Sequence, residues 1–367
     1  MMLKLNNYDR GYHIASFAKT DRTLNNMKSR DYSIVYLKDD SLVFYPKQWE
    51  IKLEEDEIDA FNHVGEYSIL EFGKDGVYIY YDSTSVDNAL FITNKCNSNC
   101  VMCPTSDIVR KNSGIESVDN LLKISSQIPS DAAHITITGG EPFLLKKDIF
   151  KLFSYLKSNL NQVEYLLLTN GRALADKEYF NLFKENVPDN TIVGIPIHGY
   201  DDITHDGITR AKNSLQQTVK GIKNLLSVHI RVEIRIVVSK LNAEFLDKIV
   251  DLIVTELKGV YTIKFIGLEM LGNARRNIDQ VWMSYSDSFK YMKLPIKKLV
   301  LAGFNVGIYN YPLCCVDKGY WPICEKSITD YKVRYLSECG ACSKKDACGG
   351  MFNGTYRLME GIVKAIK

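Results

Sequence analysis

The sequence predicts an α/β fold built on a parallel sheet, either open or curled into a partial barrel. Three observations carry this. From about residue 88, short β-branched apolar runs alternate with longer helical patterns, giving six βα units in succession. The runs are near-continuously apolar, as strands are when both faces of a parallel sheet are covered. The segments with chemical character each follow a strand directly, at the edge where such folds bind ligands.

Taken in order, residues 1–87 are mixed and β-rich. Runs 33–37 and 68–72 have strand composition, and Lys74-Asp75-Gly76 ahead of run 77–81 reads as a hairpin. Glu54, Glu55, Asp56, Glu57 and Asp59 form an acidic run that reads as a solvated face or loop. Strands are then expected at 89–93, 134–138, 164–169, 191–198, 232–238 and 261–267. Helices are expected between them at 118–128, 147–160, 175–183, 215–228 and 243–256. In the stretch 215–228, Leu215, Val219, Ile222, Leu225 and Leu226 recur at the spacing of one buried helix face. After about residue 285 this rhythm stops. A helical stretch interrupted by Pro295 leads to a strand at 304–310 and then to a cysteine-rich tail. The organisation read is 1–87, 88–285 and 286–367, with no internal repeat.

Of the 367 residues, 46% are hydrophobic and 25% charged, which is ordinary for a globular protein with a sizeable core. The net charge of +2 provides no electrostatic footprint for nucleic acid or an anionic membrane. No apolar run reaches the length of a transmembrane helix, and the first residues lack a signal-peptide pattern. A cytoplasmic location is expected, where thiols stay reduced.

Nine cysteines, an odd number, exclude a full set of disulfides. They form two groups. Cys96, Cys100 and Cys103 lie on one loop after the first strand; Cys314, Cys315, Cys324, Cys339, Cys342 and Cys348 fall near the end of the chain. The C-x3-C-x2-C spacing can supply three thiolates to a [4Fe–4S] cube and leave one iron open for a ligand, whereas most such sites use four cysteines. Structural zinc usually takes four ligands from paired units. The nearest histidine, His134, reads as part of the next strand, so iron–sulfur fits better. Gly139-Gly140-Glu141-Pro142 follows the second strand, Thr169-Asn170-Gly171 the third and His198-Gly199 the fourth. Each has a plainer reading: GGEP and TNG as turns, His198 as a satisfied histidine, Arg235 on the fifth strand as a surface charge.

The C-x3-C-x2-C loop followed by GGEP resembles the radical S-adenosylmethionine (radical SAM) superfamily. The resemblance implies a partial (β/α)6 barrel in which Cys96, Cys100 and Cys103 hold a [4Fe–4S] cluster and its open iron binds SAM. One electron would cleave SAM to methionine and a 5′-deoxyadenosyl radical, which abstracts a substrate hydrogen. It further implies that Gly139, Gly140, Glu141 and Pro142 meet the methionyl amine, with the glycines allowing close backbone approach. Asn170 and His198 become ribose or active-site contacts, Arg235 a partner of the SAM carboxylate, and Met102 a residue packed against adenine.

In the tail, Cys339-x2-Cys342-x5-Cys348 resembles the SPASM and twitch extensions of radical SAM peptide-modifying enzymes, which carry auxiliary clusters. A full SPASM module would have a cysteine where Phe352 stands, so one auxiliary [4Fe–4S] cluster is implied, on Cys339, Cys342, Cys348 and one upstream thiol. Longer stretches, including Gly194-Ile-Pro-Ile-His-Gly-Tyr and Phe265-Ile-Gly-Leu-Glu-Met-Leu-Gly-Asn-Ala with Asn277 and Trp282, are similar to the His-Xaa-Ser system radical SAM maturase of the C type. The similarity runs over roughly residues 88–355. In that family the Pro-Leu-Cys cysteine recurs, which makes Cys314 the fourth auxiliary ligand. The implied partners are a His-Xaa-Ser precursor peptide, a paired radical SAM maturase, and a one-electron reductant such as flavodoxin or ferredoxin; nucleic acid and membrane are not expected. A small-molecule substrate in cofactor biosynthesis and a zinc-binding interaction protein are the competing readings, and metal content separates the last.

Overall fold

A computed structural model describes residues 2–367 apart from Asn7, Asp31, Asp75 and Asp330. The β-rich start folds into a sheet of seven strands, counted among the described residues: β1 (Met2–Leu3), β2 (His13–Ala18), β3 (Ile34–Lys38), β4 (Ser41–Tyr45), β5 (Trp49–Lys52), β6 (Ile69–Gly73) and β7 (Gly76–Tyr81). Their spatial order is β1-β7-β6-β2-β3-β4-β5. Strands β6 and β7 pair antiparallel, as the expected hairpin requires; Asp75 in its turn lies outside the described residues. Helices α1 (Asp21–Lys28) and α2 (Glu55–Asn62) complete this part. The acidic run is therefore the start of a helix and not a loop. Glu55, Asp56 and Glu57 occupy its first turn, where carboxylates suit the positive end of the helix dipole. Glu57 is buried and accepts from the backbone N–H groups of Asn6 (2.7 Å) and Glu54 (3.0 Å).

From residue 89 the chain builds a parallel sheet. Its strands are β8 (Ala89–Phe91), β9 (His134–Thr138), β10 (Glu164–Leu168), β11 (Thr191–Pro196), β12 (Arg231–Val238), β13 (Thr262–Gly267), β14 (Val306–Tyr309) and β15 (Cys324–Glu325). Each pairs parallel with its neighbour in chain order. The helices that carry the chain between β8 and β13 are α3 (Asp107–Asn112), α4 (Val118–Gln127), α5 (Ile149–Asn159), α6 (Lys177–Asn186), α7 (Asp202–Thr209), α8 (Ser214–Ser227) and α9 (Leu246–Glu256). No β8–β15 pairing exists among the described residues, so the sheet is open at its edges. All six expected strands are present. Three of them end early at their C-terminal side, at Phe91, Leu168 and Pro196. The residues trimmed off, among them Thr93, Thr169 and His198, turn out of the ladder into the loops of the candidate site.

The sheet does not stop at residue 285. After β13 come α10 (Gly272–Arg276), α11 (Ile278–Val281) and α12 (Tyr285–Leu301), and then β14 and β15 extend the same sheet. Residue 285 is the first residue of α12, and Pro295 sits within that helix without ending it. The sequence rhythm failed here because three helices separate two adjacent strands. The tail closes with a small antiparallel pair, β16 (Val333–Arg334) and β17 (Met351–Phe352), and several single-turn 3-10 helices. The N-terminal sheet packs on α4, where Ser16 Oγ donates to Gln127 Oε1 at 3.0 Å. Among the described residues no helix is long and apolar enough to cross a membrane.

Candidate functional site

The first cysteine loop leaves β8 at the C-terminal edge of the sheet and is bonded on every side. Asn99 N and Val101 N donate to Thr209 O and Ile208 O, each at 2.9 Å, which ties the loop to the end of α7. Arg110 in α3 is buried and donates to Ser98 O at 2.9 Å and to the Asn99 side chain. Arg172 donates to Asn97 O at 2.9 Å and Ser98 Oγ at 3.1 Å. From the far side of the sheet, Asn273 and Asn277 bond to the loop backbone. Burial and the neighbouring Cys103 and Cys96 thiols push the Cys100 thiol up to about 12. Burial also raises Cys96, against an opposing hydrogen bond from Ser98 N at 3.4 Å.

The Gly-Gly-Glu-Pro segment packs against this loop. Gly140 N donates to Thr93 O at 2.5 Å and Glu141 N to Lys95 O at 2.9 Å. A Cβ on Gly139 (φ +152°) would fall 2.9 Å from Thr93 N, and one on Gly140 would fall 2.6 Å from Asn94 O. The glycines thus permit backbone to lie on backbone, beside whatever the site binds. The Glu141 side chain is buried, with Oε1 accepting from Thr169 Oγ1 at 2.7 Å and Phe143 N at 3.1 Å, and Oε2 from Asn170 N at 2.8 Å. Both oxygens join the second strand's loop to the third's, so Glu141 is an internal brace. Pro142 opens a 3-10 turn and is buried behind it.

Cys96, Cys100 and Cys103 share the wall of a cavity of about 270 Å³ with Gly139, Gly140, Asn170, His198 and Arg235. That size is near the lower end of the roughly 300–1,000 Å³ usual for small-molecule sites. Met102, Glu141 and Pro142 are not on this wall. Met102 is buried in a separate apolar cluster with Val101, Ile208, Leu268, Met270 and Val281, so it packs into core and not on the cavity wall. Cys100 and Cys103 on either side line the cavity, whereas Val101 shares the apolar cluster with Met102. His198 is buried and its Nδ1 has no partner among the described residues. Burial and the nearby His205 ring hold it down to about 3, and burial holds His205 down to about 4. The two rings lie 5.9 Å apart, near parallel, and both are neutral at neutral pH. Arg235 is not a surface charge: it lines the cavity, ion-paired to Glu233, with Tyr309 5.8 Å away. Arg110, Arg172, His205 and Asn273 went unassigned in sequence. Arg172 had a signal, since it follows Asn170-Gly171 at the same sheet edge, and Asn273 and His205 fall within or beside the stretches that carry the family resemblance; Arg110 had none.

Around the second group, Cys314, Cys339, Cys342 and Cys348 all line one small pocket with Leu313, Tyr335, Met351 and Ile366. Cys315 is buried behind it and Cys324 faces Tyr320 O at 3.5 Å, so neither lines that pocket. The adjacent Cys315 thiol holds Cys314 below the ordinary thiol range. Backbone N–H groups of Leu313, Gly350 and Ile366 point at Cys348 and Cys342 sulfurs at 3.4–3.5 Å. Among the described residues, no three Cys, His, Asp or Glu side chains close on a single-ion site; in both groups the thiols ring a space. Three thiols on one cavity and four on another are donor sets that suit iron–sulfur clusters.

An open parallel sheet with a three-thiol loop, a double-glycine turn and neutral histidines at one strand edge defines a cofactor-binding α/β domain. Residues 90–253 match the Radical SAM superfamily; members of that superfamily use a [4Fe–4S] cluster and SAM. The chain is 29% identical over 164 residues to the sporulation killing factor maturation protein SkfB of Bacillus subtilis, covering 44% of this chain and 38% of that one. It is 30% identical over 140 residues to a probable GTP 3′,8-cyclase of Methanococcus maripaludis, covering 38% and 45%. The chain spans about half the length of the curated relatives it matches. The structure of Streptococcus suis SuiB matches the fold with a TM-score of 0.50 at 12% identity, over 80% of this chain and 76% of that one.

Proposed function

We propose that this protein is a radical SAM enzyme that modifies a ribosomally made peptide of the His-Xaa-Ser type. The observation that carries the radical SAM reading is the convergence of Cys96, Cys100 and Cys103 with Gly139, Gly140, Asn170 and His198 on one cavity at the strand edge. A [4Fe–4S] cluster on the three thiolates, when bound, supplies the electron that cleaves SAM to a 5′-deoxyadenosyl radical. The chain's residues hold and shield that chemistry. Asn170 offers a carboxamide at the cavity wall. His198 and His205 stay uncharged and so add no repulsion to a sulfonium. Glu141 keeps the second and third strand loops at fixed separation. Arg235, neutralised by Glu233, is available to a carboxylate only in exchange for that pair.

A second cluster on Cys314, Cys339, Cys342 and Cys348 is part of the proposal, with Cys315 and Cys324 left spare. The peptide substrate is supported by the His-Xaa-Ser family resemblance and by the SkfB relative, a maturation protein. The GTP 3′,8-cyclase relative favours the second reading, a small-molecule substrate.

The test is anaerobic reconstitution, reduction and incubation with SAM. The wild-type chain should form 5′-deoxyadenosine and bind about eight irons, and Cys100→Ala should form none. Cleavage persisting in Cys100→Ala would reject the site. A synthetic His-Xaa-Ser peptide should change mass in the complete reaction; an unaltered peptide beside brisk SAM cleavage would turn the reading toward a small molecule.

A further inference from the structure

We propose that Asn273 is a positioning residue for the first cysteine loop, setting the backbone from which Cys96, Cys100 and Cys103 present their thiols. This rests on the reading that those thiols hold a cluster.

Asn273 lies in α10, just past β13, and is 1% exposed. Its Nδ2 stands 3.1 Å from Asn99 Oδ1, 3.2 Å from Cys100 O and 3.0 Å from Asp107 Oδ1. Its Oδ1 accepts from Asp107 N at 3.2 Å. Its backbone N donates to Cys103 O at 2.9 Å. One side chain and its own amide thus grip the loop before, at and beyond its last two cysteines. One turn later, Asn277 Nδ2 adds Val101 O at 2.9 Å.

The approach is close because Gly272 precedes Asn273. At φ +52°, a Cβ there would fall 2.5 Å from the Pro104 carbonyl carbon and 2.8 Å from Ser106 N, so a side chain would push α10 off the loop. The network closes through Asp107, which pairs with Arg110 at 2.8 Å, and Arg110 in turn donates to Ser98 O.

Only a carboxamide meets this set. It must donate to a carbonyl and a carboxylate while accepting from an N–H. A carboxylate of the same shape would lose both donors and face Asp107 directly in a buried place, where unpaired like charges are costly. Asn273 does not itself line the cavity that Cys96, Cys100 and Cys103 share, so its role is carried through the loop.

The full-length chain is reconstituted anaerobically as wild type, Asn273→Asp, and Asn273→Asp combined with Asp107→Asn. The combined variant restores one amide facing one carboxylate. Iron is counted, and the reduced protein's EPR signal is recorded with and without SAM, which perturbs only a cluster that binds it. Asn273→Asp is expected to fall from about eight irons to about four and to lose the SAM-sensitive signal, while the remaining signal persists. The combined variant should recover at least half of the lost signal. Full iron and an intact SAM-sensitive signal in Asn273→Asp would overturn the proposal. So would loss of both clusters together, which marks a general folding role. A wild-type chain with no SAM-sensitive cluster would overturn the functional reading and this inference with it.

Discussion

The two cysteine groups are built in opposite ways. The first sits on a single loop at the edge of a parallel sheet. Two arginines, two asparagines and the backbone of α7 hold its peptide groups. Its three thiols come from eight consecutive residues. The second draws its thiols from 35 residues of chain, on short turns such as Ser337–Ala341 and Lys345–Ala347. There the holding contacts are a few backbone N–H groups aimed at sulfur. A loop braced by a sheet keeps its shape without a metal. Turns with little regular structure gain theirs from whatever the thiols bind. The first site is therefore expected to be rigid as folded protein, and the second to depend on its cluster.

This contrast can be broken by experiment. The largest effect is expected at the second site. Cys314→Ala should remove about half of the iron and raise protease sensitivity in the tail, yet leave SAM cleavage; Cys324→Ala should leave iron content unaltered. Equal iron in the two variants would remove Cys314 from the ligand set and reopen the choice among its neighbours.

Next comes the brace of the first site. Glu141→Gln trades one acceptor oxygen for an N–H₂ that faces backbone donors, and should lower unfolding stability by about 1–3 kcal/mol. Denaturant titration checks this, and a loss below the scatter of wild-type repeats would mean that Glu141 does not hold the loops together.

The last is a pH dependence peculiar to the first site. His198 and His205 have folded values of about 3 and about 4, below the ordinary 6.5. As the pH falls through 6.5, the unfolded chain takes up protons first, so stability declines from there toward the folded values. One such ring contributes at most about 1.4 kcal/mol per pH unit. His205→Gln should flatten the decline between pH 6.5 and 5. An unaltered slope would show that the pair is not buried as described.

Much of the site was legible in sequence because its chemistry is local. Three thiols at C-x3-C-x2-C report themselves wherever the chain goes, and strand-then-motif order puts them on one sheet edge. The strands were legible for a related reason: a strand covered on both faces reads as an unbroken apolar run. What the sequence left out was a direction or a distant partner. Glu141 and Met102 stood beside the right residues, but one turns inward to bond Thr169 and Asn170 and the other packs with Leu268 and Val281. Four members of the acidic run, Glu54, Glu55, Asp56 and Asp59, are exposed as a solvated face; only Glu57 is buried, and sequence does not show that it reaches the backbone of Asn6.

By itself, then, the sequence determined an α/β sheet with a three-thiol loop at its C-terminal edge and a second cysteine group in the tail. Spacing and periodicity are properties of neighbouring residues, and a chain carries them into any fold. Only the tertiary structure decided that β14 and β15 join the same sheet, that Cys314 stands with Cys339, Cys342 and Cys348 while Cys315 and Cys324 do not, and that Asn273 closes on a loop about 170 residues away. Those are contacts between segments far apart in the chain. They exist because the packed sheet brings its first and sixth strand ends to one place, which no local pattern encodes.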